Sequence, residues 1–520
     1  MTRGARISAG LFLGFLLAFV ATAPWHIQSW EVGRLSAALA ADLVIIGGSL
    51  FLPSVRASLL DLLRRGCPRL SRQSVLFAGL AVTGFLLRVV TNRFLALKVN
   101  AWDFSIVDRA LARPHTGDVL YSDILRQSYF GVHASYLLFA FMPLYRVVAS
   151  PVWLLLAQAG AIAAGTIMAF YVFRIIVEDE LAAVFLAIGF LLNAYTAKAA
   201  QYVFHQEVFY PVAVFTLLWA FLRSRPAAFG LALLLLLTIK EDAFLVTLGF
   251  ALAAWHFYRR PLWGAVAAAA GVVFAWIALW RVLPAYSQSA QPSYSWYWHS
   301  FGATPLQAML GMLTNPGRFL GALGHSGAAG VLETLLFLPV AGPAWLVASM
   351  PALLPFAVSD LKQLAHFGLY YSMPILPFLF AATAAGVRRL GLYRNGSPLR
   401  VRVLALAVML VCSLDGGGYT FDRARPERRE ITTLLATVPS RLIVRVQGSL
   451  LPHVGYAESY EVLDATPIKP SEAVLLDPTG DPFPFDRKAL QEMVRQLGRT
   501  GRKVVHSQHG LLLFRSGAGE

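Results

Sequence analysis

Apolar stretches separated by short polar loops recur along the first four-fifths of the chain, and short apolar runs alternate with polar turns in the remainder. A helix needs about 20 mostly apolar residues to cross about 30 Å of hydrocarbon, and most of these stretches approach or reach that length. The pattern therefore predicts thirteen membrane crossings. They lie at 7–27, 35–55, 74–95, 152–175, 181–197, 208–222, 227–239, 243–257, 261–283, twice in a proline-broken hairpin within 331–360, 366–387 and 400–416.

The segment after residue 419 has a different pattern, with shorter apolar runs bounded by turn residues. Runs rich in Val, Ile and Leu predict strands, and an acidic start followed by helical spacing and a Gly stop predicts a helix. The expected fold class is therefore an all-α polytopic membrane protein with a small C-terminal soluble α/β domain. Helices are predicted at 426–438 and 486–501, and strands at 441–448, 472–477, 502–507 and 510–515.

Composition and charge agree with a membrane protein. Hydrophobic residues make up 57% of the chain and charged residues only 14%, whereas soluble domains carry about 25% charged residues. A net charge of +16 would suggest nucleic acid in a soluble protein, but the arginines gather at predicted helix ends, so the lipid bilayer is the expected partner. Five arginines lie in the loop 56–72 and mark it as cytoplasmic. The resulting topology predicts a multi-pass protein of the cytoplasmic (inner) membrane with its C-terminal domain outside.

The N-terminus resembles a signal peptide, since Arg3 and Arg6 precede an apolar stretch and the small residues 21–23. Pro24 follows that site directly and disfavours cleavage, so an uncleaved first helix with a cytoplasmic N-terminus is expected. The two cysteines, Cys67 and Cys412, are far apart and imply no disulfide framework.

Three regions follow from these patterns. Residues 1–73 hold two helices and a basic cytoplasmic loop, 74–418 a membrane domain with long outer loops at 96–150 and 284–330, and 419–520 the α/β domain. Within the first outer loop, 133–149 is apolar but broken by Pro143 and Arg146, and the charge distribution along the chain favours a position in the outer interface over a crossing.

Lys240, Glu241 and Asp242 interrupt the apolar run 231–250. A charge at mid-membrane costs about 2.5–3.5 kcal/mol even on mild insertion scales. Two short helices around these residues would place the charges at an outer turn. Such a turn is often merely solvated, but we expect the two acids to pair with cations such as Lys240 or Arg88 at the mouth of a cavity.

Other polar residues are expected at the same outer level. Each has an ordinary alternative: Asp103 could cap a helix, Tyr370 and Tyr371 could be interfacial aromatics, and His205 with Glu207 is too short a motif to define a metal site. Their convergence favours a functional site, because ionisable groups at a membrane mouth are functional candidates. The remaining members are Arg88, Asp108, His133 and His366.

The order of five short motifs resembles a known family. "AWDFSIVDRAL", "HASYLLFAFMPLYRVVASPVWLLLAQAG", "FHQE", "IKED" and "LYYSMPILPF" follow the order found in predicted polytopic membrane proteins catalogued as domain of unknown function 2079. The resemblance covers the chain from about residue 90 onward. The chain departs from the usual pattern at Gln206, where proline is common, and at Tyr370, where histidine is common. More distantly, the family is similar to GT-C glycosyltransferases, which take a sugar from a polyprenyl-phosphate donor.

This resemblance implies roles for the candidate residues. Asp103 stands where those enzymes carry a catalytic acid, and would act as general base toward an extracytoplasmic acceptor. Arg88 or Lys240 would neutralise the phosphate of the lipid-linked sugar donor, and His205 with Glu207 could orient substrate or hold a divalent metal, although no cofactor is identified. The other clustered residues would bind substrate. A transporter or lipid flippase, and a non-catalytic membrane protein, are the alternative interpretations.

Overall fold

The computed structural model describes residues 53–113, 119–202, 204–288, 295–393, 396–415 and 418–515. The first predicted helix and nearly all of the second lie outside these residues. The described part consists of a helical body followed by a small domain built on a five-stranded sheet.

The helical body contains most of the predicted helices, with boundaries that differ by a few residues. Its longer helices are Pro53–Arg65, Arg72–Leu95, Val152–Val177, Glu180–Leu192, Ala194–Gln201, Tyr210–Leu222, Pro226–Ile239, Ala243–His256, Pro261–Ile277, Pro343–Ala357, Leu376–Gly391 and Pro398–Asp415. A π-helical turn at Ala278–Val282 and a short helix at Leu283–Tyr286 extend Pro261–Ile277.

Three of the described helices are long and apolar enough to cross a membrane, namely Arg72–Leu95, Val152–Val177 and Pro261–Tyr286. The pair Glu180–Leu192 and Ala194–Gln201, bent by 50°, would form a fourth. Other apolar helices are shorter, and one of 14 residues is only about 21 Å long. The count of thirteen crossings therefore stays a prediction.

Two predicted helix boundaries are wrong because of local chemistry. The helix expected at 366–387 begins only at Leu376, and Pro377 occupies its first turn. Proline lacks a backbone N–H, but N–H groups in the first turn have no partner within the helix, so no helical hydrogen bond is lost. The helix expected at 181–197 breaks at Asn193, whose side chain accepts the Tyr195 N–H at 3.0 Å and caps the second half.

A third difference concerns the basic loop, which contains the helix Pro53–Arg65 where no helix was predicted. Arg402 donates to the Leu63 carbonyl at 2.8 Å and to the Arg64 carbonyl at 2.9 Å. These bonds satisfy carbonyl groups at the end of the helix that have no partner within it. A distant arginine therefore stabilises a segment that local sequence alone marks as a loop.

Aromatic side chains fill the centre of the helical body. Phe215 meets Phe173 and Phe190 edge to face, with ring centroids 5.5 and 5.4 Å apart, and Phe190 meets Phe380 in the same way at 5.3 Å. These rings come from four different helices, so the contacts hold the body together around Val152–Val177.

Glycine permits a close helix contact at one place in this body. A Cβ added at Gly249 would lie 1.9 Å from the Ala348 carbonyl oxygen, whereas one at Gly230, in the preceding helix, would meet nothing within 4 Å. We expect Gly249→Ala to lower the melting temperature of the detergent-solubilised protein, since overpacking typically costs about 1–3 kcal/mol. Gly230→Ala is the matched control and should be neutral or stabilising. Equal melting temperatures for the two variants would contradict this packing.

Two long connections lie at one end of the body. The first holds Ala101–Ser105, Ile106–Ala112, a small hairpin of Tyr121–Ser122 with Gln127–Ser128, and the short helices Tyr129–Gly131, Tyr136–Ala140 and Met142–Val147. The 12 residues from Tyr136 to Val147 span about 18 Å, less than the hydrocarbon thickness. The second holds Ser295–Trp298, Pro305–Thr314, Pro316–Gly324, Ala328–Glu333 and Leu338–Ala341.

The C-terminal domain has the predicted elements and one more strand. Its sheet runs in the order Tyr460–Val462, Val444–Val446, Ala473–Leu476, Leu512–Arg515, Lys503–His506, in which the first three strands are parallel and the last two antiparallel to their neighbours. The strand Tyr460–Val462 was not predicted. The helices are Glu427–Leu435 and Arg487–Arg499.

Both faces of this sheet are covered. Val474 and Leu476 pack against Leu490 and Leu497 of the helix Arg487–Arg499. The alternate residues of the same strand, Ala473 and Leu475, join the main hydrophobic core. Since alternate residues of a strand point to opposite faces, one face is covered by the domain's own helix and the other by the rest of the protein.

Candidate functional site

Polar side chains from five segments meet at one end of the helical body. The segments are the turn beyond Arg72–Leu95, the residues around 202–210, the turn 240–242, the loop 129–134 and the turns 366–375. Hydrogen bonds and ring contacts join them into a single cluster.

Asp103 lies in the π-helical turn Ala101–Ser105, just beyond the first long helix. The Asn100 side chain accepts a backbone N–H of this turn at 3.1 Å, and the Ala101 N–H donates to the Gly448 carbonyl at 2.9 Å. The C-terminal domain therefore helps to fix the turn. The Asp103 side chain stays 27% exposed and is therefore accessible, whereas that of Glu207 is only 1% exposed.

Two side chains orient the Asp103 carboxylate. The Tyr202 hydroxyl donates to Oδ2 at 2.7 Å, and Nε2 of His205 lies 3.8 Å from Oδ1. Burial and the Asp103 carboxylate raise the pKa of Tyr202, while Arg93 acts in the opposite direction. The phenol therefore stays protonated and acts as a fixed donor to Asp103.

On the side away from Asp103, His205 contacts the buried Glu207, which in turn contacts the buried Lys240. Nδ1 of His205 hydrogen-bonds Oε2 of Glu207, and the Lys240 ammonium donates to Oε1 of Glu207 at 2.7 Å. The Glu207 side chain is only 1% exposed. Burial alone would lower the pKa of Lys240, but Glu207, Asp242 and Glu241 raise it well above its usual value. Asp103, His205, Glu207 and Lys240 thus form a continuous set, here called the four-residue chain.

Tyr370 lies in this cluster as a stacking partner. Its ring lies parallel to the His205 imidazole, with centroids 3.6 Å apart and planes 12° apart. The Tyr370 hydroxyl lies 3.4 Å from the Tyr371 hydroxyl, and the Tyr202 ring centroid lies 5.6 Å away. The stack prevents the imidazole from rotating away from Asp103 and Glu207.

Glu241 and Asp242 both have hydrogen-bond partners, and these are not the expected cations Lys240 and Arg88, although Lys240 interacts electrostatically with both acids. Glu241 accepts the Ala134 N–H at 3.0 Å and lies 2.9 Å from Nδ1 of His133. Asp242 accepts a hydrogen bond from the Tyr210 hydroxyl. The turn 240–242 is therefore bonded to two other segments of the cluster, 129–134 and 202–210.

Four residues of the cluster were missed by sequence reasoning. The Tyr129 hydroxyl donates to the Gln206 amide oxygen at 3.1 Å, Tyr202 contacts Asp103, and Tyr210 contacts Asp242. Only Gln206 had been noted in the sequence, as a departure from the motif resemblance, and that departure was the one available signal. The three tyrosines resemble ordinary interfacial aromatics in the sequence, so nothing local distinguishes them.

Two of the predicted site residues are placed away from the cluster. Arg88 is exposed, and its guanidinium lies 5.8 Å from the centroid of the Phe421 ring. His366 is exposed as well, and its backbone packs against Gly327. The structure gives neither side chain a contact with the four-residue chain.

Asp108 lies in a separate buried contact with the C-terminal domain. Its Oδ1 accepts the Tyr145 hydroxyl at 2.6 Å and the Tyr456 hydroxyl at 3.0 Å. The neighbouring Arg109 is buried, pairs with Asp123 at 2.6 Å and donates to the Tyr460 carbonyl at 2.8 Å. We therefore propose that Asp108 and Arg109 anchor the C-terminal domain to the first loop.

This anchor should depend on pH. Burial raises the pKa of Asp108 from 3.8 to about 6. The protonated carboxyl therefore stabilises the folded protein below about pH 4, and this stabilisation is lost as the pH rises through 6. We expect Asp108→Asn, which cannot ionise, to melt at a higher temperature than the natural protein at pH 7.5. At pH 7.5 the free energy of unfolding of the variant should exceed that of the natural protein by on the order of 1–3 kcal/mol, and this difference should shrink toward pH 4.5. A pH-independent difference would show that ionisation of Asp108 plays no part.

Arg93 is the cation that lies on the Asp103 side of the cluster. Its side chain is 28% exposed, its guanidinium lies 3.7 Å from Asp422, and it is close enough to Tyr202 to affect that hydroxyl's pKa. Its Nε is buried and makes no hydrogen bond within the described residues. Asp422 is also paired with Lys98 at 2.5 Å.

The predicted metal site gains no further ligand in the described part of the chain, where no group of three or more His, Cys, Asp or Glu could hold a metal ion. His205 and Glu207 bond each other, and the second Glu207 oxygen bonds Lys240. A divalent ion at these two residues stays a prediction.

Comparison with solved structures identifies the fold. The fold matches that of the GT-C glycosyltransferase ArnT from Cupriavidus metallidurans, in a crystal structure with bound undecaprenyl phosphate, with a TM-score of 0.52 and 12% sequence identity. The match covers 86% of this chain and 99% of that chain. At this identity the likeness establishes the fold alone, that of a GT-C-like membrane protein.

The family follows from the sequence itself. Residues 93–420 match the family model described as "Predicted membrane protein (DUF2079)", and the chain belongs to that family. No curated protein matches the chain significantly. The family and the distant GT-C similarity predicted from the five motifs are thereby confirmed.

Proposed function

We propose that this protein is an integral-membrane glycosyltransferase that moves a sugar from a polyprenyl-phosphate donor to a hydroxyl acceptor. The observation that carries the proposal is the setting of Asp103, an accessible carboxylate backed by His205, Glu207 and Lys240. The fold shared with ArnT, whose crystal structure contains undecaprenyl phosphate, supports the choice of a lipid-linked donor.

In this mechanism Asp103 is the general base. It accepts the proton of the acceptor hydroxyl while that oxygen forms a bond to the anomeric carbon of the sugar. The bond between the anomeric carbon and the phosphate oxygen breaks, and its electron pair leaves with polyprenyl phosphate. The hydrogen bond from Tyr202 holds the carboxylate in one orientation, which a base needs in order to meet a hydroxyl in line with the leaving group.

His205 would receive the proton from Asp103 between turnovers. Its Nε2 lies 3.8 Å from the carboxylate, and the buried Glu207 at Nδ1 stabilises the imidazolium that would form. Lys240 balances the charge of Glu207 when the imidazole is neutral. The four-residue chain therefore gives Asp103 a route by which to pass on the proton that it accepts from the acceptor hydroxyl.

Arg93 is the best-placed cation for the donor phosphate. Arginine binds phosphate oxygens through parallel N–H donors, and the Arg93 side chain is 28% exposed and close enough to Tyr202 to affect the pKa of that hydroxyl. Lys240 is committed to Glu207, and the Arg88 guanidinium lies over Phe421. We therefore propose Arg93 for the role that the sequence assigned to those two residues.

The position of the cluster favours an enzyme over a transporter. Secondary transporters place their binding sites near the middle of the bilayer, between broken helices. Here Asp103 lies beyond the end of Arg72–Leu95, and Lys240 lies in the turn that joins two helices. Such an arrangement suits a reaction at one membrane surface.

The test uses the full chain reconstituted in lipid vesicles with polyprenyl-phosphate-linked sugars of several kinds. We expect release of polyprenyl phosphate that depends on an added hydroxyl acceptor, and a rise in melting temperature on addition of undecaprenyl phosphate alone. Release without acceptor dependence, or no effect of the lipid on melting, would contradict the proposal.

The orientation of the C-terminal domain is a separate prediction. Reporter fusions after Arg402 and after Phe421 should lie in opposite compartments, with the second outside the cytoplasm, because a helix ending at Asp415 separates them and the arginines lie before it. A cytoplasmic reporter after Phe421 would overturn the topology and with it a site facing the outer leaflet.

A further inference from the structure

The helix Pro305–Thr314, within the second long connection, carries a row of exposed apolar side chains. Leu306, Met309, Leu310 and Leu313 are between 49% and 73% exposed. Their spacing of three, four and seven residues places them on one face of the helix. Exposed single leucines are ordinary, but a contiguous apolar row marks a surface that contacts something other than water.

The other side of this helix is fixed to the helical body. Ala308 is buried with Phe301 and Val358. The Ser300 N–H donates to Asp360 at 2.8 Å, and the Arg318 guanidinium donates to the Ser300 carbonyl. The orientation is therefore determined by packing, and the apolar row faces away from the protein.

The helix that follows, Pro316–Gly324, extends the same surface. Leu320 is 63% exposed, and Arg318 and His325 are the only basic residues between 301 and 332, a segment without a single acid. An apolar face with a nearby cation and no carboxylate matches the composition of helices that lie in the interface of a membrane with anionic lipids.

We propose that the helix pair 305–324 lies in the membrane interface, with its apolar row inserted between lipid headgroups and acyl chains on the side where the polar cluster opens. Two residues next to the helix pair support this position at the membrane surface. Val358, against which the pair packs, directly follows the apolar helix Pro343–Ala357, and Tyr297, just before the pair, lies against Tyr371 of the cluster. The partner is therefore the lipid surface itself, and the predicted outer loop 284–330 contains a membrane-bound segment.

The proposal does not depend on catalysis and can be tested by depth measurement. Single nitroxide labels are placed at Leu310 and Leu313. The controls are the exposed polar positions Gln307 and Thr314, which lie on the flank of the same helix, about 100° and 80° around it from Leu306. The full chain is used, with Cys67 and Cys412 replaced by serine, reconstituted in vesicles that contain anionic lipid. We expect the labels at Leu310 and Leu313 to collide with oxygen more than with a water-soluble nickel chelate, at a depth of about 5–10 Å. The two control labels should show the reverse preference.

Two results would overturn the proposal. If all four labels prefer the nickel chelate, the apolar row faces water and not lipid. If neither reagent reaches Leu313, and spectral broadening disappears when labelled protein is diluted with unlabelled protein, the row is a contact between two copies of the chain. Unchanged melting temperatures of the labelled proteins show that the labels report on the native fold.

Discussion

Asp103→Asn is expected to lower the rate of sugar transfer at least about 100-fold, because a general base contributes about 10²–10⁴ to the rate and asparagine cannot accept the proton. Asparagine keeps the shape of the side chain, and its amide oxygen can still accept the Tyr202 hydroxyl bond. The variant should therefore fold, insert and bind undecaprenyl phosphate as the natural protein does. The measurements are the acceptor-dependent release of polyprenyl phosphate and the lipid-induced shift in melting temperature.

Asp108→Asn is the matched control for this variant. Asp108 is on the same loop, five residues away, but bonds Tyr145 and Tyr456 and not the four-residue chain. We expect its transfer rate to stay within about tenfold of the natural rate, well above that of a variant lacking the base. Full transfer activity in Asp103→Asn, or an equal loss in both variants, would remove Asp103 from the mechanism.

Much of the fold could be predicted because the length of an apolar run sets the length of a helix in a membrane protein. The helices Val152–Val177 and Arg72–Leu95 end within two residues of their predicted ends. The break at Asn193 could not be predicted, because the apolar run continues across it and the cap becomes visible only in three dimensions. The helix Pro53–Arg65 was missed for a similar reason, since part of its stabilisation comes from Arg402, far along the chain.

The candidate site was predicted unevenly, and the reason is chemical. Charged residues in an apolar sequence are conspicuous, so the Lys240 turn and the pair His205 and Glu207 could be selected without a structure. The tyrosines that bond the clustered residues, Tyr129, Tyr202 and Tyr210, could not be selected, because tyrosines are common at membrane interfaces for reasons unrelated to catalysis. Arg93 was overlooked in favour of Arg88, which is five residues earlier on the same helix but lies over Phe421.

Glu207→Gln is expected to be the most destabilising conservative change in the cluster. It leaves the buried Lys240 ammonium without the carboxylate that lies 2.7 Å away, and it weakens the bond to His205. Removing one partner of a buried ion pair typically costs about 3–5 kcal/mol, because the remaining charge has lost its compensation. The melting temperature in detergent and the yield of folded protein should both fall. Glu333→Gln, at an acid that lies outside the cluster, serves as the control and should leave both unchanged.

Adding Lys240→Met to Glu207→Gln should restore most of the lost stability without restoring activity. The double variant removes both members of the Glu207–Lys240 pair, although Glu241 and Asp242 also lose the nearby charge of Lys240. Replacing a buried ion pair by neutral groups of similar volume is often tolerated. His205 would still lack the carboxylate that stabilises its protonated form, so transfer should stay at least about tenfold below the natural rate. A double variant as unstable as Glu207→Gln alone would show that the packing of these two side chains, and not their charge pairing, stabilises the site. A stable and fully active double variant would show that proton transfer does not pass through the four-residue chain, and would leave Asp103 to act as a base alone.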